Sequence, residues 1–280
     1  MDERLTLEKR ILAEKYQYDG HMSVYANDLK GNEIILSGEE EFETASTIKS
    51  FILYTLFEKL KEGHFTLNDT LTYLPEHEVE GSGILCSVPP NGEYRIIDIA
   101  TWMIIISDNI ATNILIDFLG MAVINEYIQK RGFTHTTLHN PINFDDYEKL
   151  GTTTVTDYGK FFTLLAKGEL IDPEYDEMMM DIFSKQHYQR GITGDFPACY
   201  LDEYEFQEQM IKIYSKSGSM NACRNDGGIV ETPYGKYVVV LFTKEFQDPL
   251  YYDNHPSLTF QSKVSRLLFD QYLALKGSFQ

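Results

Sequence analysis

The sequence predicts an α+β fold, an α/β sandwich in which one antiparallel sheet is formed from the N- and C-terminal segments and an all-helical domain is inserted between them. Three observations predict it. Strand-like segments cluster near the start, apolar helical stretches alternate with polar breaks through the middle, and β-branched runs return only after residue 210. The implied division is 1–44 plus 208–280 for the sheet domain and 45–207 for the helical insertion.

The elements follow in order. Residues 4–17 carry Leu5, Leu7, Ile11, Leu12 and Tyr16 at near-helical spacing, which predicts an amphipathic helix. His21 to Tyr25 and Glu33 to Leu36 flank Lys30-Gly31-Asn32 and predict a hairpin. From Thr47 to Leu60 the apolar residues lie nearly all round a helix, so that helix must be buried, and Gly63 ends it. Helices are then predicted over Ile96 to Ile106, Ala111 to Leu119, Ala122 to Lys130 and Thr156 to Lys167, the last three stopped by Gly120, Gly132 and Gly168. Strands are predicted over Met210 to Tyr214, Gly228 to Glu231 and Tyr237 to Thr243, with a turn at Pro233-Tyr234-Gly235, and a closing helix over Ser257 to Lys276.

Bulk properties narrow the function. With 280 residues, 43% of them hydrophobic, the chain can fill a core. The 43 acidic and 24 basic side chains leave a net charge of −19, which repels nucleic acid and anionic membrane surfaces. No run of residues is long and apolar enough to span a bilayer, and the start, Met1-Asp2-Glu3-Arg4, has neither the basic nor the apolar region of a signal peptide. The expectation is a monomer that stays in the cytoplasm as written and is exported only if a leader has been removed. Cys86, Cys199 and Cys223 lack CxxC spacing and are expected to be small hydrophobes without a disulfide framework. The seven histidines form no metal-ligand pattern, so neither metal nor cofactor is expected.

Three short motifs carry chemistry. Ser46-Thr47-Ile48-Lys49 puts a hydroxyl and an amine one helical turn apart on the same face. A serine hydroxyl is a poor nucleophile until a neighbour takes its proton, and a lysine can do so once desolvation or nearby positive charge lowers its pKa. Alone, such a frame arises by chance about once in a chain of this size, and a capping serine with a surface lysine explains it as well. Ser107-Asp108-Asn109 interrupts an apolar stretch, with Ile104 to Ile106 before it and Ile110 after, where a polar turn needs a reason; its plain alternative is a helix cap. Lys216-Ser217-Gly218 follows a predicted strand, and its plain alternative is a strand end turning at glycine. A given tripeptide occurs by chance in only a few per cent of such chains, at about one in twenty per position, so three accidents in this order are improbable.

The ordered set resembles the class A β-lactamase and penicillin-binding protein superfamily of serine hydrolases, whose signatures are SxxK, SDN and K-[ST]-G. Phe42 to Lys49 (FETASTIK), Gly81 to Leu85 (GSGIL), Ile104 to Asp117 (IIISDNIATNILID) and Thr152 to Tyr158 (TTTVTDY) resemble family segments too. The resemblance implies a serine β-lactamase-like fold with the active site at the junction of the two domains, and a small-molecule substrate, a β-lactam or an acyl-peptide or ester. It implies that Ser46 attacks the carbonyl, Lys49 helps remove its proton, Ser107 relays the proton to the leaving nitrogen, and Asn109 holds Lys49 and the substrate amide. Lys216 would supply positive potential, Ser217 would bind a substrate carboxylate, and the backbone N–H groups of Ser46 and Ser219 would form an oxyanion hole. Arg224 would assist with the carboxylate, a solvated strand charge being the equal alternative.

One departure stands out. Class A enzymes hydrolyse their acyl-enzyme with a water activated by a Glu that is usually followed by Pro, where this chain has Asn140-Pro141. An amide cannot take up the proton, so deacylation is expected to be slow. Asp145, Asp146 and Glu148 are the nearest substitutes, and Asn143 could hold the water. The alternatives to a β-lactamase are an esterase or peptidase of the penicillin-binding type and a sensor that keeps its acyl group.

Overall fold

The computed structural model describes residues 6–145, 149–201, 209–221, 223–252 and 254–280. The chain begins with α1 (Leu7–Gln17), β1 (His21–Asn27), β2 (Glu33–Leu36) and β3 (Phe42–Glu43). A 3₁₀ turn, Ala45–Ile48, runs directly into α2 (Lys49–Lys61). The middle holds β4 (Thr70–Thr72), β5 (Glu93–Arg95), α3 (Ile96–Ile105), α4 (Asn109–Leu119), α5 (Met121–Lys130), β6 (Thr137–Leu138), β7 (Gly151–Thr153), α6 (Val155–Lys167) and α7 (Pro173–Ser184). Two short helices follow, α8 (Arg190–Thr193) and α9 (Ala198–Leu201). The chain closes with β8 (Lys212–Ser215), β9 (Gly218–Met220), β10 (Cys223–Thr232), β11 (Gly235–Lys244) and α10 (Pro256–Ala274).

The main sheet joins the two ends of the chain, as expected. Its order is β2-β1-β11-β10-β8, with β9 also beside β10, and every pairing is antiparallel. Alternation along β11 shows why it must be central. Val238, Val240 and Phe242 face the core shared with α2, α3, α4 and α6, whereas Tyr237, Val239 and Leu241 face a second core made with α1 and α10. Successive side chains of a strand point to opposite faces, so an unbroken apolar run is satisfied only when both faces are covered. α2 is buried on all sides, with Phe51, Ile52, Leu53, Leu56 and Phe57 fully enclosed, which fixes the Ser46 turn at its N-terminus against the sheet.

Three features differ from the sequence expectation. α7 has no counterpart in it, although Asp172 caps this helix by accepting from the N–H of Glu174 and Tyr175 and Pro173 opens its first turn. A small sheet of order β3-β7-β6 ties the segment before Ser46 to the stretch after Asn140. Ile192 and Phe196 pack in the outer core with α10, so residues 190–201 lie with the sheet layer although the sequence division puts them in the helical insertion.

Candidate active site

Ser46 and Lys49 sit at the entry to α2. Ala45, just before the serine, has φ of +44° and Ser107 has φ of +57°, a left-handed backbone that costs a non-glycine residue roughly 1–3 kcal/mol and persists only where packing over-determines it. At Ser107 this twist aims both the carbonyl and the hydroxyl at lysines. Lys49 Nζ donates to Ser107 O at 2.8 Å, to Ser107 Oγ at 3.1 Å and to Asn109 Oδ1 at 2.9 Å. Lys216 Nζ reaches the same Ser107 Oγ at 3.1 Å and donates to Ser217 O at 2.6 Å. With both ammonium groups as donors, the Ser107 hydroxyl is left to donate its own proton into the cavity.

Asp108 serves the architecture. Fully buried, it caps α4 by accepting from Ala111 N at 2.9 Å and holds the 81–87 loop through Ile84 N at 2.8 Å and Leu85 N at 3.0 Å. The capping reading of this tripeptide is thus met by Asp108. Asn109 completes the floor, its amide donating to Glu80 O at 3.0 Å while its carbonyl oxygen accepts from Lys49 Nζ.

Burial dominates the electrostatics of both lysines. Burial is the largest effect on Lys49 and, with the charge of Lys216, holds its pKa well below the ordinary lysine value against the opposing pull of Asp108. Burial likewise brings Lys216 down to about 7, with Asp226 opposing. Asp226, enclosed on β10, is itself raised by burial despite accepting from the N–H groups of Ile192 and Gly227. Tyr158, within the TTTVTDY segment, donates to Lys216 O at 3.0 Å and lies 2.9 Å from Ser50 Oγ, clamping the lysine's backbone to α2.

β9 runs close beside the Ser46 turn. A Cβ placed on Gly218 would lie 2.7 Å from Ser46 N and 2.8 Å from both Thr44 O and Thr47 N, all backbone atoms that cannot swing aside. Asn225 reinforces the approach by donating to Glu43 O at 2.8 Å. Gly218→Ala is therefore expected to destabilise the fold by about 1–3 kcal/mol and to displace β9 from Ser46. Urea unfolding and acylation rates measure this, and wild-type values of both would show that the strand can retreat at no cost.

The cavity above Ser46, of about 570 Å³, brings together most of the residues expected from the sequence. Ser46, Ser107, Ser217, Ser219 and Arg224 line it, with Lys49 and Asn109 directly behind. Arg224 is buried rather than solvated, and its guanidinium is committed to carbonyls: Met220 O, Cys223 O at 2.9 Å, Pro249 O at 2.9 Å and Leu250 O at 3.0 Å. Sequence reasoning missed Ser82, Phe144, Tyr188, Met220 and the Pro249–Tyr251 strap, which also line it. Only Ser82 carried a signal, its place in the GSGIL segment; Met220 comes from the end of β9 and the rest from loops, all without a motif.

Asn140 is placed elsewhere. It lines a separate hollow with Asn113, Asp117 and His77, and its amide donates to Lys149 O at 3.1 Å. Asn113 anchors the loop by exchanging two hydrogen bonds with Ile142, at 3.0 and 2.9 Å. Beyond that anchor Asn143 and Asp145 border a neighbouring hollow, and Phe144 is the loop residue that also faces the Ser46 cavity. Asp146 and Glu148 lie outside the described residues. Among the described residues lining the Ser46 cavity, none carries a carboxyl group.

A hydroxyl at the start of a buried helix, a buried lysine one turn on, and a second serine held between two lysines make up the candidate site. Residues 6–272 match the model of the β-lactamase enzyme family, and the chain belongs to that family. The fold is shared with a β-lactamase from Sphaerobacter thermophilus DSM 20745, at 25% identity and a TM-score of 0.82 over 96% of this chain and 97% of that one. It is shared equally with PBP-A, at 27% identity and a TM-score of 0.82 over 96% of each chain. An ancestral class A β-lactamase at 19% identity has the same fold, with a TM-score of 0.80 over 95% of this chain and 99% of that one. No curated protein matches the chain in sequence.

Proposed function

We propose that this protein is a serine hydrolase that takes up an acyl group on Ser46 from β-lactam amides and releases it slowly. The observation that carries the reading is the shared Ser107 hydroxyl, 3.1 Å from each of two buried lysines. Lys49, neutral part of the time because it is desolvated, accepts the Ser46 proton as Oγ attacks the carbonyl. Ser107 passes a proton to the departing nitrogen, and Lys216 resupplies the positive field. The N–H groups of Ser46 and Ser219 stabilise the developing oxyanion, a kind of contribution worth about 3 kcal/mol of barrier. Since both Arg224 Nη groups donate to backbone carbonyls, a substrate carboxylate falls to Ser217 and Lys216.

A second reading, a sensor or trap that keeps its acyl group, is favoured by the lack of a carboxylate among the described cavity residues. Mass spectrometry of the protein with a penicillin over time distinguishes turnover, stable acylation and no acylation.

The pKa directions set a pH dependence. Lys49 works as a base only when unprotonated, so acylation falls as the pH is lowered through its depressed pKa. Lys216 is charged below about 7 and neutral above, so its attraction for a carboxylate fades as the pH rises past that value. Acylation by a carboxylate-bearing β-lactam is expected to be bell-shaped, with its falling limb near about 7. A neutral ester is expected to show the rising limb alone. Equal falling limbs for the two donors would remove Lys216 as the carboxylate's partner.

A further inference from the structure

The hollow that holds Asn140, about 890 Å³ in volume, is lined by Glu76, Glu78, Asp117 and Asp145 together with His77. Among the described residues no lysine or arginine lines it, and none of these four carboxylates forms an ion pair with one. Like charges gathered round one concavity repel one another and raise the local concentration of cations. Among the described residues no three histidine, cysteine, aspartate or glutamate side chains come together closely enough to hold a metal ion. The carboxylates are therefore spaced for an organic cation whose positive groups are spread along a chain.

His77 adds a second requirement. It is only 5% exposed, and its Nδ1 accepts from the N–H of Leu74 at 3.1 Å, which puts the ring proton on Nε2. That Nε2–H is buried without a hydrogen-bond partner; Asp117 Oδ2 stands beside it at 3.5 Å, too long for a hydrogen bond. The Asp117 side chain is 72% exposed, so it can turn outward to an ammonium group and uncover the Nε2–H for an oxygen acceptor. A ligand that meets both demands carries positive groups with a neutral acceptor among them. A basic peptide has both, in its lysine side chains and backbone carbonyls, whereas a polyamine has the charges alone.

We infer that this hollow binds a short basic peptide segment, its ammonium groups on Glu76, Glu78, Asp117 and Asp145 and a backbone carbonyl on His77. The inference is independent of the chemistry at Ser46, and its test uses no acyl donor. The test is titration calorimetry of the whole protein in about 0.15 M salt, where exposed charges more than about 8 Å apart are largely screened. The probes are a lysine tripeptide acetylated and amidated at its ends, spermidine with the same charge, and a glutamate tripeptide blocked likewise. The lysine peptide is expected to bind at least fivefold more tightly than spermidine, and the glutamate peptide not to bind. Glu78→Gln combined with Asp117→Asn is expected to weaken the lysine peptide at least tenfold. Glu8→Gln combined with Glu174→Gln, on α1 and α7, removes the same charge elsewhere and is expected to change its affinity less than twofold. His77→Phe is expected to bring the peptide down to the affinity of spermidine and to leave spermidine unchanged, a change of ratio that loss of stability would not produce. The two charge pairs decide the question if His77→Phe fails to fold. Absence of lysine-peptide binding, or equal losses in the two charge pairs, overturns the site, and equal affinities for the peptide and spermidine overturn the peptide as its ligand.

Discussion

Ser46→Ala is expected to abolish covalent labelling by a β-lactam or a fluorophosphonate while leaving the thermal unfolding midpoint nearly unchanged. Ser46 is half-buried at the cavity floor, and its side chain supplies little of the packing that α2 draws from Phe51, Leu53 and Phe57. Lys49→Ala is expected to slow acylation by several powers of ten, because residues that act as one relay fail together. It also removes three hydrogen bonds, to Ser107 O, Ser107 Oγ and Asn109 Oδ1, leaving buried acceptors that need new partners. Lys49→Met, similar in length, separates the two effects: a slow enzyme with a near-normal melt assigns the loss to chemistry. Labelling that survives in Ser46→Ala would end the assignment of the nucleophile, and near-normal acylation in both lysine variants would point to another base.

The second large effect concerns release of the acyl group. A chromogenic cephalosporin is expected to give a burst equal to the enzyme concentration and then a shallow steady rate. The two half-reactions need different bases, and loss of one general base lowers its step by about two to four powers of ten. The position that matters follows from the geometry. Asn140 turns toward Lys149 and a hollow apart from Ser46, whereas Phe144 projects from the same loop over the cavity. Phe144→Glu is therefore expected to raise the steady rate at least tenfold, and Asn140→Glu to leave it near wild type. Rapid linear hydrolysis by the wild type would show that another group activates the water. A gain with Asn140→Glu but not with Phe144→Glu would restore the alignment by the Asn-Pro pair.

Much of this was legible in the sequence because it rests on local rules. The all-round apolar pattern of residues 47 to 60 demanded a buried helix, and α2 is one. Glycines 120 and 168 ended helices where expected, and the β-branched run after residue 236 made the central strand β11. The α7 start is equally local, since Asp172-Pro173 is a cap followed by a first-turn proline, yet it is a faint signal beside the apolar runs around it.

By itself the sequence determined the ordered motifs, the division into a two-ended sheet with helices between, and the one-turn spacing of Ser46 and Lys49, because each depends on neighbours along the chain. Tertiary structure alone decided what those groups meet. Ser107 lies 109 positions before Lys216, and only the folded chain sets its hydroxyl 3.1 Å from both lysines. It also turned Arg224 inward to the Pro249–Leu250 carbonyls and set Phe144, rather than Asn140, at the Ser46 cavity. The physical reason is that a loop's path is set by its anchors, here Asn113 clasping Ile142 and β7 pairing with β3, and those contacts join residues far apart in the chain.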